Sequence, residues 1–158
     1  MEKILLLVSI TAIMAIPALG QSNKLIGTWR LIAADKILPD GSQVPDMGIN
    51  PGGIAVFTKG GRYVVEIFRG DRMKFASGDR SKGTPEEYRN AVVGTSCHYG
   101  TYEVNANGIT FNIEHATYPN WDNTVRVSPF TLKGDTLRWQ VPARPDGVIP
   151  VSVFMRIK

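Results

Sequence analysis

Gly27-Thr28-Trp29 and Arg156 lie at opposite ends of a long run of short, turn-punctuated segments. A tryptophan on a first strand and an arginine on a last strand meet only if the sheet between them closes on itself. The turn signals between them are dense and regular. Pro39-Asp40-Gly41-Ser42, Lys59-Gly60-Gly61, Asn105-Ala106-Asn107-Gly108 and Lys133-Gly134-Asp135 each separate β-rich runs. Their Gly and Asn residues supply the positive φ that hairpins need. This spacing predicts eight strands, at 25–37, 53–58, 62–68, 95–104, 109–116, 124–132, 136–141 and 149–157, joined mostly as consecutive hairpins. The expected fold class is all-β: an eight-stranded antiparallel up-and-down barrel with one short helix between strands.

The helix is expected after residue 84. Thr84 is an N-cap, Pro85 suits the first helical position, and Glu86 and Glu87 place negative charge in the first turn. It runs on through Val93 and stops at Gly94. Residues 69–83, rich in Gly, Ser and charge, precede it as the longest irregular piece of the domain. A loop of that length reads either as a solvated surface segment or as a flap over a cavity that favours an anionic ligand.

The first residues read as an export signal. Residues 4–16 form an almost unbroken apolar run, Pro17 breaks it, and Ala18-Leu19-Gly20 offers the small residues that a signal peptidase reads. The run is shorter than the ~20 residues that a bilayer core requires, which argues against a retained anchor. The expected organisation is therefore a secretory signal at residues 1–20 and one barrel domain at residues 21–158, exported to the periplasm or secreted. The chain carries 18 Lys and Arg against 14 Asp and Glu, with no basic run or helical stripe of the kind nucleic-acid binding needs. Cys97 is the only cysteine, so no internal disulfide is possible and the core alone must hold the fold. A buried, inert thiol is the expectation for it.

Gly27-Thr28-Trp29 with Arg156 resembles the lipocalin signature, in which an arginine from the last strand covers a tryptophan at the barrel floor. The remaining motifs resemble the bacterial and fungal lipocalin-like domain family. They are Asn50-Pro51-Gly52-Gly53, Gly60-Gly61-Arg62-Tyr63, Thr84-Pro85-Glu86-Glu87, Tyr99-Gly100-Thr101-Tyr102-Glu103-Val104, Glu114, Pro119-Asn120-Trp121, Arg126 and Gly134-Asp135-Thr136-Leu137. In order, they cover nearly all of residues 21–158. Members often carry His on the strand before Pro-Asn-Trp, where this chain has Phe111 and Asn112. Chemistry that needs those imidazoles is not implied here. The resemblance implies a barrel with an internal pocket and no single reaction.

Strand alternation sorts the candidate residues by face. His98, Gly100, Tyr102 and Val104 share one face, and Glu114 and His115 are expected to point apart. The chain has two histidines and no His-x-His or His-x-x-x-His spacing, so no metal site and no cofactor are expected. No Gly-x-Ser-x-Gly elbow is present, and Cys97 and His98 face opposite ways. The strongest constellation is Glu114 with Arg126, His98 and Tyr102 on sequential strands. Glu114 and Arg126 fit three roles: a structural ion pair, a seat for a carboxylate or phenol with Arg126 as the fork, or a general base at Glu114. Tyr63, Phe57, Phe111, Trp121 and Trp139 are the aromatic candidates for lining a pocket, with Trp121 at the mouth. Trp29 and Arg156 are structural.

The leading expectation is a monomeric exported barrel that binds a small hydrophobic or amphipathic molecule through Tyr63, His98, Tyr102, Glu114, Trp121, Arg126 and Trp139. Neither nucleic acid nor a stable membrane anchor is expected as a partner. The alternative is an isomerase, cyclase or hydratase using Glu114 or His98 as acid/base. A third reading is a protein-binding or inhibitory barrel with no open cavity.

Overall fold

The computed structural model describes residues 24–158, so the expected signal segment at residues 1–20 lies outside the described residues. The described elements, in chain order, are β1 (Gly27–Ile37), β2 (Gln43–Pro45), β3 (Gly52–Phe57), β4 (Arg62–Phe68), α1 (Pro85–Val93), β5 (Thr95–Asn105), β6 (Gly108–Ala116), a 3-10 turn (Pro119–Trp121), β7 (Thr124–Ser128), β8 (Phe130–Lys133), β9 (Thr136–Gln140) and β10 (Ile149–Arg156). One antiparallel sheet runs in the order β7-β6-β5-β4-β3-β1-β10-β9-β8, with β2 added against β1.

The two edges of that order are consecutive pieces of one bent strand. β7 pairs with β6, β8 pairs with β9, and Pro129 lies between them. The sequence pattern predicts one strand over 124–132. Proline cannot donate to a ladder, so the strand changes partner there, while the Pro129 carbonyl still accepts from Gln140 N at 3.0 Å. The nearly closed barrel thus has the expected hairpin order. Its additions are this break and the three-residue β2, which is too short to leave a sequence pattern.

β1 and β10 form the seam, with Trp29 opposite Arg156. The Arg156 guanidinium sits 4.0 Å from the centre of the fully buried Trp29 ring. It also donates to the carbonyls of Ile26 (2.7 Å) and Lys24, and Trp29 Nε1 donates to Leu25 O at 2.8 Å. Gly27 is required at this seam. Its φ is +132°, and a Cβ there would meet Arg156 Nη1 at 2.9 Å. Above this floor a tier of aromatic rings fills the barrel. Phe57 lies 4.9 Å from Tyr102, Tyr63 lies 4.7 Å from Phe111, and Trp139 stacks on Phe154 at 4.5 Å.

Candidate functional site

The far end of the barrel is open. A cavity of about 660 Å³ lies there, within the range usual for small-molecule sites. Val65, Ile67, Trp139 and Val151 supply apolar wall, while His98, Trp121 and Arg126 bring polar and aromatic groups into it. At the mouth stand Met47, Tyr118 and residues 141–145, a proline-containing segment leading from β9 toward β10. Arg144 Nη2 holds that segment to Asp46 Oδ2 at 2.9 Å, and Lys36 shares the same carboxylate at 3.4 Å.

Each polar group owes its position to its strand. On β5 the inward residues are His98, Gly100, Tyr102 and Val104, all buried. Tyr63, from neighbouring β4, bonds its hydroxyl to His98 Nδ1 at 2.9 Å. That leaves Nε2 as the ring nitrogen without a protein partner among the described residues. Burial holds the imidazole neutral, pushing its pKa down to about 3, and the positive charge of Arg126 acts in the same direction. Burial likewise pushes the Tyr63 phenol well above its ordinary value.

Arg126 lies on β7, opposite Phe111 of β6. Its guanidinium carbon is 4.2 Å from the Trp121 ring centre, and the Trp121 ring stands edge-on to His98 at 6.2 Å. The 3-10 turn after β6 sets Trp121 there. Among the described residues Arg126 has no ion pair and no hydrogen-bond acceptor, and burial lowers its pKa.

The expected Glu114–Arg126 pair does not form. β6 carries a bulge at Glu114, so Gly100 pairs with Ile113 while Tyr99 pairs with His115. Phe111 and Ile113 face inward, so alternation puts Glu114 outside, and the bulge turns His115 outside as well, against the expectation that the two point apart. The Glu114 side chain is 42% exposed and forks onto Arg62, with Arg62 Nη2 donating to Oε2 at 2.9 Å. This hydrogen bonding holds the Glu114 carboxyl below its ordinary value. Gly100 permits the close approach, since a Cβ there would lie 1.9 Å from Asn112 O. His115 pairs outside with Asp122 at 3.0 Å. Among the described residues no three His, Cys, Asp or Glu side chains gather as a metal site would require.

The lipocalin-like domain profile matches residues 26–153. The chain belongs to the lipocalin-like domain family. Among solved structures it is similar to a lipocalin-like protein from Bacteroides uniformis, at 16% identity over 84% of this chain and 98% of that one, with a TM-score of 0.41. It is also similar to a mutant of the fluorescent protein UnaG, at 13% identity over 85% of this chain and 96% of that one, with a TM-score of 0.39. No curated protein matches the chain.

In this lipocalin-like barrel the other sequence candidates divide by height. His98, Trp121, Arg126 and Trp139 line the cavity. Tyr63 stands behind His98, and Tyr102 lies in the filled tier with its hydroxyl donating to Thr58 O at 3.1 Å. Residues 69–83 do not reach the cavity wall. They fold against α1 instead: Phe75 packs on Tyr88 at 5.4 Å, Gly83 N donates to the Tyr88 hydroxyl, and Ala76 N donates to Glu87. The flap expectation is therefore corrected, because these contacts turn the loop toward the helix. The wall that sequence reasoning missed is residues 141–145 with Asp46 and Met47. The prolines there were a usable signal of an ordered segment. Cys97 is half-buried, and burial raises its thiol pKa.

Proposed function

We propose that the protein is an exported, monomeric carrier that takes one small, largely apolar molecule into the open end of its barrel. The observation that supports this reading is the cavity of about 660 Å³, with aliphatic and aromatic walls and a few convergent polar groups. A closed aromatic tier lies beneath it, so a ligand has one way in and one way out. Export rests on the apolar run and the small residues ahead of Gln21. The acid/base alternative loses one of its two groups, since Glu114 stands outside the cavity on Arg62. Its other group, His98, is held neutral by burial. A barrel with a solid core, the third reading, has no place for the cavity.

Native mass spectrometry of the protein secreted by its own host tests both parts. The expected result is a chain beginning at Gln21 with one small molecule retained per protein. A neutral fluorescent probe, N-phenylnaphthylamine, should bind saturably at one site and draw energy from the cavity tryptophans. An apo mass together with a probe that never saturates overturns the carrier reading, and a chain still carrying residues 1–20 overturns export.

A further inference from the structure

We propose that the ligand carries an acidic group, a carboxylate or an equivalent oxyanion, and that Arg126 seats it inside the barrel with His98 Nε2 alongside. The inference rests on the carrier reading and names the ligand's chemistry.

Two independent observations carry it. The first is an unmatched cation in the cavity. The Arg126 guanidinium lines the apolar space and rests one face on Trp121, yet among the described residues no carboxylate or carbonyl accepts from it. The acids around the same cavity are engaged elsewhere. Asp46 is shared by Lys36 and Arg144, Asp35 accepts from Gln43, and Asp146 accepts from Val148 N. A half-buried charge without a partner is still partly desolvated at a cost, and stacking on an indole offsets only part of it.

The second is the polarity of β7. Thr124-Val125-Arg126-Val127-Ser128 would ordinarily bury its valines and leave its arginine in water, and a one-residue change of register would accomplish this. The chain does the reverse. Val125 is 66% exposed and Val127 40% exposed, while Arg126 and Ser128 face inward. A strand that holds its charge inside and its valines outside conflicts with its own pattern. Such conflicts persist where a site needs them. An anion on Arg126 resolves both: it completes the guanidinium's donors in a fork geometry and compensates the half-buried charge. A cationic ligand head would be repelled, and a neutral one would leave the guanidinium as it is.

The test uses a matched pair of probes, N-phenylnaphthylamine and its sulfonated form, anilinonaphthalene sulfonate. They share one aromatic body and differ by a single anionic group. The secreted protein should bind the sulfonate at least about tenfold more tightly. Arg126→Met should remove most of that preference, weakening the sulfonate about tenfold or more and the neutral probe by no more than about threefold. Arg126→Lys, which keeps the charge and loses the fork, should fall between. If wild type binds the neutral probe but shows no preference for the anion, the acidic-ligand inference is wrong and the carrier reading stands. Equal losses for both probes in Arg126→Met also overturn it, assigning Arg126 to structure. If wild type binds neither, the carrier reading itself has failed. Should Arg126→Met not fold, the wild-type ratio and Arg126→Lys decide.

Discussion

His98 sits where burial forbids its charge. Its pKa in the fold is about 3, against an ordinary value of 6.5. The unfolded chain therefore takes up a proton on this residue below about pH 6.5, while the folded chain stays neutral down to about pH 3. Stability is complete above the unfolded value and is lost as pH falls below it. Between pH 7.5 and pH 5 this one group should remove about 2 kcal/mol of stability, a window in which most carboxylates have not yet begun to protonate. Denaturant midpoints measured across that window check it. His98→Gln, which keeps an acceptor for the Tyr63 hydroxyl, should flatten the slope whatever its own baseline, and an unchanged slope would assign the loss to other groups. His98 was legible as an inward residue because β5 keeps strict alternation. Glu114 was not, because it shares its face with Asn112, and the buried Phe111 and Ile113 make that the outer face; the bulge then adds His115 to the outside. Nothing in Ile113-Glu114-His115 announces that bulge. It becomes visible only in the pairing with Gly100, a glycine whose missing Cβ accommodates Asn112 O.

α1 was the most legible element and lies away from the cavity. Thr84 and Glu87 form the full capping box, with Thr84 Oγ1 accepting from Glu87 N at 3.2 Å and Glu87 Oε2 accepting from Thr84 N at 2.7 Å. Glu87 Oε1 also accepts from Ala76 N at 2.7 Å, so one carboxylate pins both the helix start and the preceding loop. The helix buries none of its residues, which leaves its order dependent on these caps. Glu87→Ala should speed hydrogen exchange at the amides of Ala76 and α1 by about fivefold or more. Probe affinity at the cavity should not change, and a clear loss would restore residues 69–83 as a cover. The hairpins were legible for the same reason as the helix: their signals are local. Gly41, Gly61, Gly108 and Gly134 all adopt positive φ where the turns were read. The Pro129 break, β2 and the inverted face of β7 are set by which strand lies alongside. Turn residues carry no record of that. Arg126 was nonetheless expected in the cavity, although alternation alone would have put Val125 and Val127 inside.

The molecule is a barrel with two ends of opposite character, and its aromatic tier separates them. At one end Arg156, Trp29 and Gly27 lock the seam between first and last strands, with the guanidinium satisfied by backbone carbonyls. At the other, Arg126 stacks on Trp121 in the same manner but finds no acceptor among the described residues. The two stacked pairs thus differ: the first is complete and holds the fold, and the second is the one proposed above to seat the ligand's acid. This division makes stability and ligand preference separable. Trp29→Leu removes the ring under Arg156 and leaves Leu25 O without its donor, so it should cost about 2–4 kcal/mol of unfolding free energy. Val65, Phe57 and the rings between the ends remain in place, so both naphthyl probes should bind within about twofold of wild type under conditions where the variant is folded. Denaturant unfolding and probe titration on the same preparation read the two quantities independently. A variant that kept its stability but changed its choice between the neutral and anionic probes would mean that the ligand enters at the Trp29 end, and the assignment of floor and mouth would have to be exchanged.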